Sequence, residues 1–208
     1  MRTSRLDTLI KRLPELSACH ASITEAYEAL RACFAAGGKL LLCGNGGSAS
    51  DADHWAGELL KGFSHKRPLK IKARRKLPSY LAENLQGALP AIPLTGFPAL
   101  GSAFCNDVAP DLVFAQLTSA LGTRGDVLVA LSTSGNAKNV CHALETARAR
   151  GLRTIGLTGA TGGRLRSLCE ICIRVPATET YRIQEYHLPI YHCLSLMLED
   201  AFFPPARS

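Results

Sequence analysis

The sequence predicts an α/β fold, in the form of a three-layer αβα sandwich with a mostly parallel sheet and N-terminal helices. Apolar runs of strand length alternate with segments of helical periodicity along most of the 208 residues. Two of these runs, 39–43 and 127–131, lead directly into loops of glycine and hydroxyl residues, and a predicted helix follows each loop. Strands that alternate with helices in this way are typical of parallel sheets, because each connection must cross over a face of the sheet.

The N-terminal segment is predicted to be helical, because leucine and isoleucine recur at helical spacing between Leu6 and Leu16. Pro14 is expected to kink or divide this segment, and a second helix is predicted to start at residue 17 or 20 and to run to residue 36. We therefore expect an N-terminal helical arm over residues 1–36 and a single α/β domain over residues 37–203.

The rest of the chain is predicted to form alternating elements that end in a long helix. In chain order they are helix 48–60, a short helix at 81–87, strand 91–94, a loop with a helical turn at 96–107, helix 111–121, helix 137–150, strand 154–158, strand 171–175 and helix 182–200. Pro189 lies inside the last helix, where it removes one backbone hydrogen bond and is expected to cause a kink.

The net charge of +7 is spread unevenly, with a concentration of lysine and arginine in residues 64–80. This stretch also contains prolines, and it is predicted to be an exposed basic insertion. A nucleic-acid interface is disfavoured, because the stretch has no interleaved aromatic residues and no nucleic-acid motif accompanies it. A solvated loop, or a rim that attracts anionic substrates, agrees better with this composition.

Composition and hydropathy favour a cytoplasmic protein that does not enter a membrane. No apolar run has the length of a membrane-spanning helix, and residues 1–7 lack the apolar stretch of a secretory signal. The eight cysteines are scattered, and they are predicted to be free thiols, several of them buried, rather than disulfides.

The two loops have the composition of anion-binding sites. The first loop is Gly44–Ser48 and the second is Ser132–Asn136. Glycine allows the backbone to approach a ligand closely, and the free N–H groups at the start of a helix favour a negative charge. The pair of loops indicates a phosphorylated small-molecule ligand, although either loop alone could be an ordinary turn between a strand and a helix.

Two pairs of polar residues on predicted helices are candidates for chemistry. His54 and Glu58 are four residues apart and so share one helix face, an arrangement that suits a metal site or an acid/base pair but also occurs on ordinary surfaces. On the last helix, Gln184 and His192 share a broad face, whereas His187 lies well round the helix and is expected to be structural or interfacial.

Taken together, these motifs resemble the sugar isomerase (SIS) domain family and, more narrowly, its phosphoheptose isomerases. The resemblance implies that Glu58 and His192 form the catalytic acid/base pair. It implies substrate-binding roles for Asn45, Gly46, Gly47, Ser48, Glu58, Asn106, Asp107, Ser132, Thr133, Ser134 and Gln184. It also implies a zinc ion held by His54, Glu58, Gln184 and His192. A homotetramer with sites at subunit interfaces is implied as well.

The implied reaction is the conversion of sedoheptulose 7-phosphate to D-glycero-D-manno-heptose 7-phosphate through an enediol. This reaction moves protons between neighbouring carbon atoms, and a partly desolvated glutamate with a histidine suits that task. The sequence departs from the family in having Ala137 where a further serine is common, Gly57 where an acidic residue is common, and Lys61-Gly62-Phe63 where an arginine is usual. These departures concern the identity of the sugar more than the type of reaction.

Two alternative functions remain open from the sequence. Some proteins that resemble this subfamily bind the replication initiator DnaA and lack the catalytic pair, and residues 198–204 resemble that branch. The presence of Glu58 and His192 favours the enzyme. A regulator that senses phosphosugars is disfavoured, because no helix-turn-helix DNA-binding domain accompanies the motifs.

Overall fold

The computed structural model describes residues 4–204 and contains a five-stranded, all-parallel sheet with strand order β2-β1-β3-β4-β5. The strands are β1 (Leu40–Cys43), β2 (Ala91–Pro93), β3 (Val127–Leu131), β4 (Arg153–Thr158) and β5 (Ile171–Arg174). β1 pairs in register with β3, so that Leu41 lies opposite Leu128. The predicted α/β fold with a parallel sheet is confirmed.

Helices cover both faces of the sheet. They are α1 (Arg5–Arg12), α2 (His20–Ala35), α3 (Gly47–Leu60), α4 (Ile71–Arg74), α5 (Ser79–Asn84), α6 (Pro98–Asp107), α7 (Val113–Leu121), α8 (Lys138–Ala149), α9 (Leu165–Leu168) and α10 (Thr180–Phe202). Short 3₁₀ helices at Pro14–Cys19 and Pro110–Leu112 precede α2 and α7.

The sheet separates two hydrophobic cores, because successive side chains of a strand point to opposite faces. Leu40 and Leu42 of β1 pack into the core that includes α2, α3 and α10. Leu41 and Cys43 pack into the core that includes α7 and α8. Strands buried on both faces explain why the sequence shows continuous apolar runs rather than alternation.

The order of the strands places a crevice between the loops that follow β1 and β3. The chain passes from β1 outward to β2 and then returns to the other side of β1 to form β3. This reversal is the point at which ligands of open parallel sheets usually bind, outside the carboxyl ends of the strands. The first and second loops are therefore neighbours at one edge of the sheet.

The N-terminal helices are divided at Pro14, as predicted. Ser4 caps α1, since its hydroxyl accepts from the Asp7 backbone N–H while the Asp7 carboxylate accepts from the Ser4 N–H. Helix α1 packs against α10, and Arg5 pairs with Asp200 at 2.8 Å. The boundary between an arm at 1–36 and a domain at 37–203 stays a prediction, and residues 1–3 of the arm lie outside the described residues.

The prediction that the basic residues of 64–80 are exposed is wrong for Arg67, whose side chain is fully buried. The other basic residues of the stretch are exposed as expected, namely Lys66, Lys70, Lys72, Arg74, Arg75 and Lys76. Arg67 differs because Glu199 of α10 accepts from its Nε at 2.7 Å inside the protein. A buried guanidinium requires such a partner, and a partner 132 residues away cannot be inferred from local composition.

Two further elements differ from or extend the prediction. Residues 98–107 form helix α6 rather than a loop with one turn, because Pro98 occupies the first turn, where a missing N–H costs nothing. Helix α10 continues through Pro189, which is buried within it.

The cysteines of the chain form no disulfide among the described residues. All eight cysteines are free, and five of them are buried. Between residues 4 and 204, no helix is both long and apolar enough to cross a membrane.

Candidate active site

The first loop is shaped by glycine at the start of α3. Gly46 has a φ of 54°, which favours glycine over any residue with a side chain. A Cβ atom on Gly47 would lie 2.5 Å from Nε2 of Gln184, so only glycine allows the Gln184 amide of α10 to approach the loop this closely. Ser48 is buried within the first turn of the helix.

The second loop is supported from behind by a glycine-rich turn. Thr133 presents its carbonyl oxygen to the Gly159 backbone N–H at 3.0 Å, and the Gly135 carbonyl accepts from the Leu165 N–H at 3.0 Å. A Cβ atom on Gly135 would lie 2.1 Å from the carbonyl oxygen of Gly162. Ser132 is buried and Ser134 is exposed, so the hydroxyls of the loop extend from the core to the surface.

A reciprocal amide pair connects the two loops. Nδ2 of Asn45 donates to Oδ1 of Asn139 at 2.9 Å, and Nδ2 of Asn139 donates back to Oδ1 of Asn45 at 2.9 Å. Asn45 follows β1, and Asn139 lies in the first turn of α8 after β3. The pair therefore spans the crevice at the point where the strand order reverses.

Helices α3 and α10 bring three of the predicted residues together. His54 and Glu58 share a face of α3, with 3.2 Å between Nε2 of His54 and Oε1 of Glu58. His192 of α10 contributes the third ring, whose centre lies 5.1 Å from that of His54. The side chain of Glu58 is only 13% exposed, whereas that of His54 is 47% exposed. The cluster thus lies at the border between core and solvent.

Two polar atoms of this cluster have no hydrogen-bond partner among the described residues. They are Oε2 of Glu58 and Nε2 of His192, and both are buried. Burial, with a smaller contribution from the charge of His54, lowers the pKa of His192 below its ordinary value, while Glu58 acts in the opposite direction. A neutral imidazole with an unpartnered nitrogen can accept or pass on a proton, or bind a metal.

The donor atoms suit a metal ion in kind but do not form a closed set of ligands. Imidazole nitrogen and carboxylate oxygen are zinc ligands. Within residues 4–204, no three side chains drawn from histidine, cysteine, aspartate and glutamate are close enough together to hold a metal ion. Gln184, the fourth predicted ligand, lies against Gly47.

The end of helix α3 is anchored by Arg67. Its Nη1 donates to the carbonyl of Leu59 at 2.8 Å, and its Nη2 donates to the carbonyl of Glu58 at 3.1 Å. The last carbonyl groups of a helix have no hydrogen-bond donors within the helix. Here the guanidinium donates to two of them. Arg67 therefore contacts the backbone of a candidate catalytic residue.

Asn106 and Asp107 are not joined to the rest of the predicted site. Both are exposed at the end of α6, and Nδ2 of Asn106 donates to the Asp107 carboxylate at 2.8 Å. Their hydrogen bonds in the described part of the chain include none to the two loops or to the histidine cluster. A substrate-binding role for this pair stays a prediction.

Sequence reasoning missed Asn139 and Tyr191, which contact predicted residues, and Asp51, which contacts Tyr191. The hydroxyl of Tyr191 lies 2.9 Å from Nδ1 of His54 and 3.2 Å from Oδ1 of Asp51. Asp51 precedes His54 by three residues, so helical spacing could have placed it near that histidine. The cross-helix contact of Tyr191 has no comparable local pattern.

Comparison with known proteins identifies the family. The SIS domain family matches residues 100–198 of the chain. The phosphoheptose isomerase of Rhodospirillum rubrum is 44% identical over 186 residues, which cover 89% of this chain and 89% of that protein. The chain belongs to the phosphoheptose isomerase family.

Solved structures of the phosphoheptose isomerase family have the same architecture. The phosphoheptose isomerase from Francisella tularensis superposes with a TM-score of 0.77 at 33% identity, over 91% of each chain. The phosphoheptose isomerase from Neisseria gonorrhoeae gives a TM-score of 0.74 at 32% identity, over 94% of this chain and 92% of that one. Membership of the phosphoheptose isomerase family makes the chain an isomerase.

Proposed function

We propose that this chain converts sedoheptulose 7-phosphate to D-glycero-D-manno-heptose 7-phosphate. The proposal rests above all on one observation: Glu58 of helix α3, which begins in the first loop, and His192 of α10 come together, and each has a buried polar atom that makes no hydrogen bond among the described residues. The names of the relatives support the same substrate class.

The proposed reaction is a proton transfer between neighbouring carbons. A proton leaves C1 of the ketose, an enediol forms, and a proton is returned to C2, while the oxygen proton moves from O1 to O2 so that the carbonyl ends at C1. Glu58 and His192 are the groups proposed to take and return these protons. Burial lowers the pKa of His192, and this favours the neutral imidazole, which is the form that accepts a proton.

The two loops are proposed to hold the substrate. Ser132, Thr133 and Ser134 offer hydroxyls beside the start of α8, where backbone N–H groups favour a phosphate. Asn45 to Ser48 are proposed to contact the sugar, with Gln184 beside Gly47 and with Asn106 and Asp107 as further contacts. Binding the phosphate away from the reacting carbons fixes the orientation of the sugar.

A zinc ion is proposed as cofactor, held by His54, Glu58, Gln184 and His192. Oε2 of Glu58 and Nε2 of His192, which are buried and make no hydrogen bond among the described residues, support this assignment, and Lys61 Nζ lies 3.8 Å from Oε2 of Glu58. Bound zinc would polarise the carbonyl oxygen and so favour enolisation. Removal of metal with a chelator is expected to lower turnover, and added zinc is expected to restore it; turnover that is indifferent to both would contradict the cofactor.

A homotetramer in the cytoplasm is the proposed state of the protein. Exposed apolar side chains on α10, Tyr181 and Leu188, support an interface with further copies. A cavity of about 670 Å³ between α1 and α10, bordered by Arg12, Phe63 and His192, adds to this support. Native mass spectrometry of the purified chain would test the assembly, and a monomer at micromolar concentration would contradict it.

The function is tested by incubating the zinc-supplemented protein with sedoheptulose 7-phosphate and following the aldose by NMR. Conversion to the aldose phosphate is the expected result. Binding of phosphosugar without conversion of any ketose phosphate would overturn the proposal in favour of a binding or regulatory role. A parallel binding assay with DnaA separates the remaining alternative.

A further inference from the structure

Helix α10 places a tyrosine hydroxyl between two residues of α3. Tyr191 has no exposed surface, and its hydroxyl lies 2.9 Å from Nδ1 of His54 and 3.2 Å from Oδ1 of Asp51. Its ring stacks on Trp55, with 5.5 Å between ring centres and 17° between ring planes. Packing therefore fixes where the hydroxyl lies, and two polar groups compete for its single proton.

The number of available protons limits how these groups can be bonded. An ionised carboxylate only accepts hydrogen bonds, whereas a phenol donates one and can accept others. If the hydroxyl donates to Asp51, its oxygen is free to accept from an N–H at Nδ1 of His54. In a neutral imidazole the other nitrogen, Nε2, then carries a lone pair.

We propose that Tyr191 and Asp51 act as positioning residues, which hold the proton of neutral His54 on Nδ1 and present the Nε2 lone pair to Glu58 and His192. The relay runs from Nδ1 of His54 to the oxygen of Tyr191, and from the hydroxyl of Tyr191 to the Asp51 carboxylate. It makes no contact with the substrate loops among the described hydrogen bonds. This assignment rests on the proposed function only for its consequence in catalysis, not for its geometry.

The position of the proton on His54 determines how its ring interacts with Glu58. Nε2 of His54 and Oε1 of Glu58 are 3.2 Å apart. With the proton on Nδ1, both facing atoms are acceptors, so the two hydrogen bonds of the relay act against the alternative tautomer, in which an N–H at Nε2 donates to Glu58. A cation between the two facing atoms removes this competition. The relay therefore favours a positively charged occupant at the point where zinc is proposed. A partner at the second nitrogen is also the usual way in which proteins orient a metal-binding histidine.

The tautomer of His54 tests the proposal without any measurement of activity. Full-length protein labelled with ¹⁵N in histidine is treated with a chelator and studied by long-range ¹H–¹⁵N NMR, well above the ordinary histidine pKa. The His54 signals are assigned from a His54→Gln variant. We expect the wild-type ring to carry its proton on Nδ1.

Two substitutions are expected to change the tautomer in different ways. Tyr191→Phe retains the stacking ring but removes the hydroxyl, so His54 should populate both tautomers. Asp51→Ala removes the acceptor, so the tyrosine hydroxyl should turn to donate to Nδ1, and the proton should move to Nε2. Since Asp51 itself has no described hydrogen bond to His54, inversion of the tautomer by this change would not follow from a general loss of packing.

Metal binding and kinetics supply the second readout. Tyr191→Phe should weaken zinc binding by about 10- to 100-fold and lower kcat by a similar factor, with KM for the phosphosugar nearly unchanged. Tyr186→Phe is the matched control, because Tyr186 lies on the same helix, is half-buried, and has no described side-chain hydrogen bond. The control should keep the wild-type tautomer, zinc affinity and kcat.

Definite outcomes would overturn the proposal. A wild-type ring with its proton on Nε2 would do so, as would a Tyr191→Phe variant that is still folded and retains the Nδ1 tautomer. Absence of turnover in the wild-type enzyme would instead contradict the proposed function, since the tautomer measurement stands independently of it. Thermal unfolding of each variant establishes that the fold is retained.

Discussion

Arg67 and Glu199 form an ion pair with no exposed side-chain surface on either partner, at 2.7 Å between Nε and Oε1. The carboxylate of Glu199 also accepts from the backbone N–H groups of Phe63 and Ser64, each at 2.8 Å. The guanidinium also donates hydrogen bonds to the carbonyl oxygens of Glu58 and Leu59 at the end of α3. One buried contact thus joins α10, the segment after α3, and the helix that carries the candidate catalytic glutamate.

Substitution of Arg67 is expected to destabilise the fold strongly. Arg67→Met leaves the Glu199 charge buried without its cation, and loss of one partner of a buried pair costs about 3–5 kcal/mol. The free energy of unfolding should be measured by urea denaturation. The matched control is Arg5→Met, which breaks the half-exposed pair with Asp200 and should cost less than about 1 kcal/mol. Equal losses in the two variants would contradict this view of the buried pair.

The stability of the protein should depend on Glu199 in acid. Burial alone would raise the pKa of this carboxyl, but hydrogen bonds from Ser64, Phe63 and Arg67 hold the pKa at about 2. A carboxyl with a lowered folded-state pKa adds stability above its unfolded value, about 4.3, and this stability is lost as the pH falls toward 2.

Glu199→Gln should therefore flatten the decline in stability across that acid range. The free energy of unfolding of wild type and variant should be compared at several pH values within it. The variant should be less stable than wild type above the range and should lose less stability through it. Parallel curves for the two proteins would show that Glu199 does not titrate in this way.

Loss of either proposed proton-transfer group should abolish most turnover. Glu58→Gln and His192→Gln keep the approximate shape of each side chain but remove its acid/base function, and such groups contribute about 10²- to 10⁴-fold. Turnover of sedoheptulose 7-phosphate by NMR is the measurement. Glu28→Gln and His20→Gln are the controls. They change exposed residues of α2, outside the candidate site, and should leave turnover intact. Wild-type rates in either site variant would refute the assignment.

The second loop should be sensitive to a single added methyl group. Gly135 has a φ of 69°, and a Cβ atom there would meet the Gly162 carbonyl oxygen. Gly135→Ala should displace the loop and raise KM by about tenfold or more, since backbone strain of this kind costs about 1–3 kcal/mol, with a smaller effect on kcat. Gly101→Ala, in α6 with no atom within 4 Å of the added carbon, should leave KM unchanged. A similar rise in both variants would contradict this explanation.

Substituting serine for Ala137 should stabilise helix α8. Ala137 is the N-cap of this helix, has extended backbone angles, and makes no side-chain cap. Ala137→Ser supplies an oxygen for a free N–H of the first turn and should raise the free energy of unfolding by about 1 kcal/mol. Chemical denaturation would measure the change. A destabilised variant would mean that the partly buried methyl group matters more than the cap.

Periodicity was sufficient to predict the sheet and most helices because burial on both faces leaves continuous apolar strands such as 40–43 and 127–131. Local patterns also located the two loops and the pairing of His54 with Glu58. Residues 98–107 were predicted poorly, since α6 has no fully buried residue to produce a helical stripe.

The contacts that complete the site could not be predicted from the sequence, because they join segments that are far apart along the chain. Arg67 meets Glu199 across 132 residues, and Tyr191 meets His54 across 137. In both cases the local neighbourhood suggests another role, a solvated basic stretch for Arg67 and a core aromatic residue for Tyr191. Only the packing of α10 against α3 reveals the polar function of each.

The amide pair between Asn45 and Asn139 joins the two loops through two hydrogen bonds of 2.9 Å. Oδ1 of Asn139 accepts both from Asn45 and from the Val140 N–H at 3.0 Å, so its two lone pairs are used. Asn45 keeps one N–H and one lone pair, and a sugar hydroxyl can bond to these without separating the loops. The contact between the two loops can therefore persist while Asn45 hydrogen-bonds to a polar ligand.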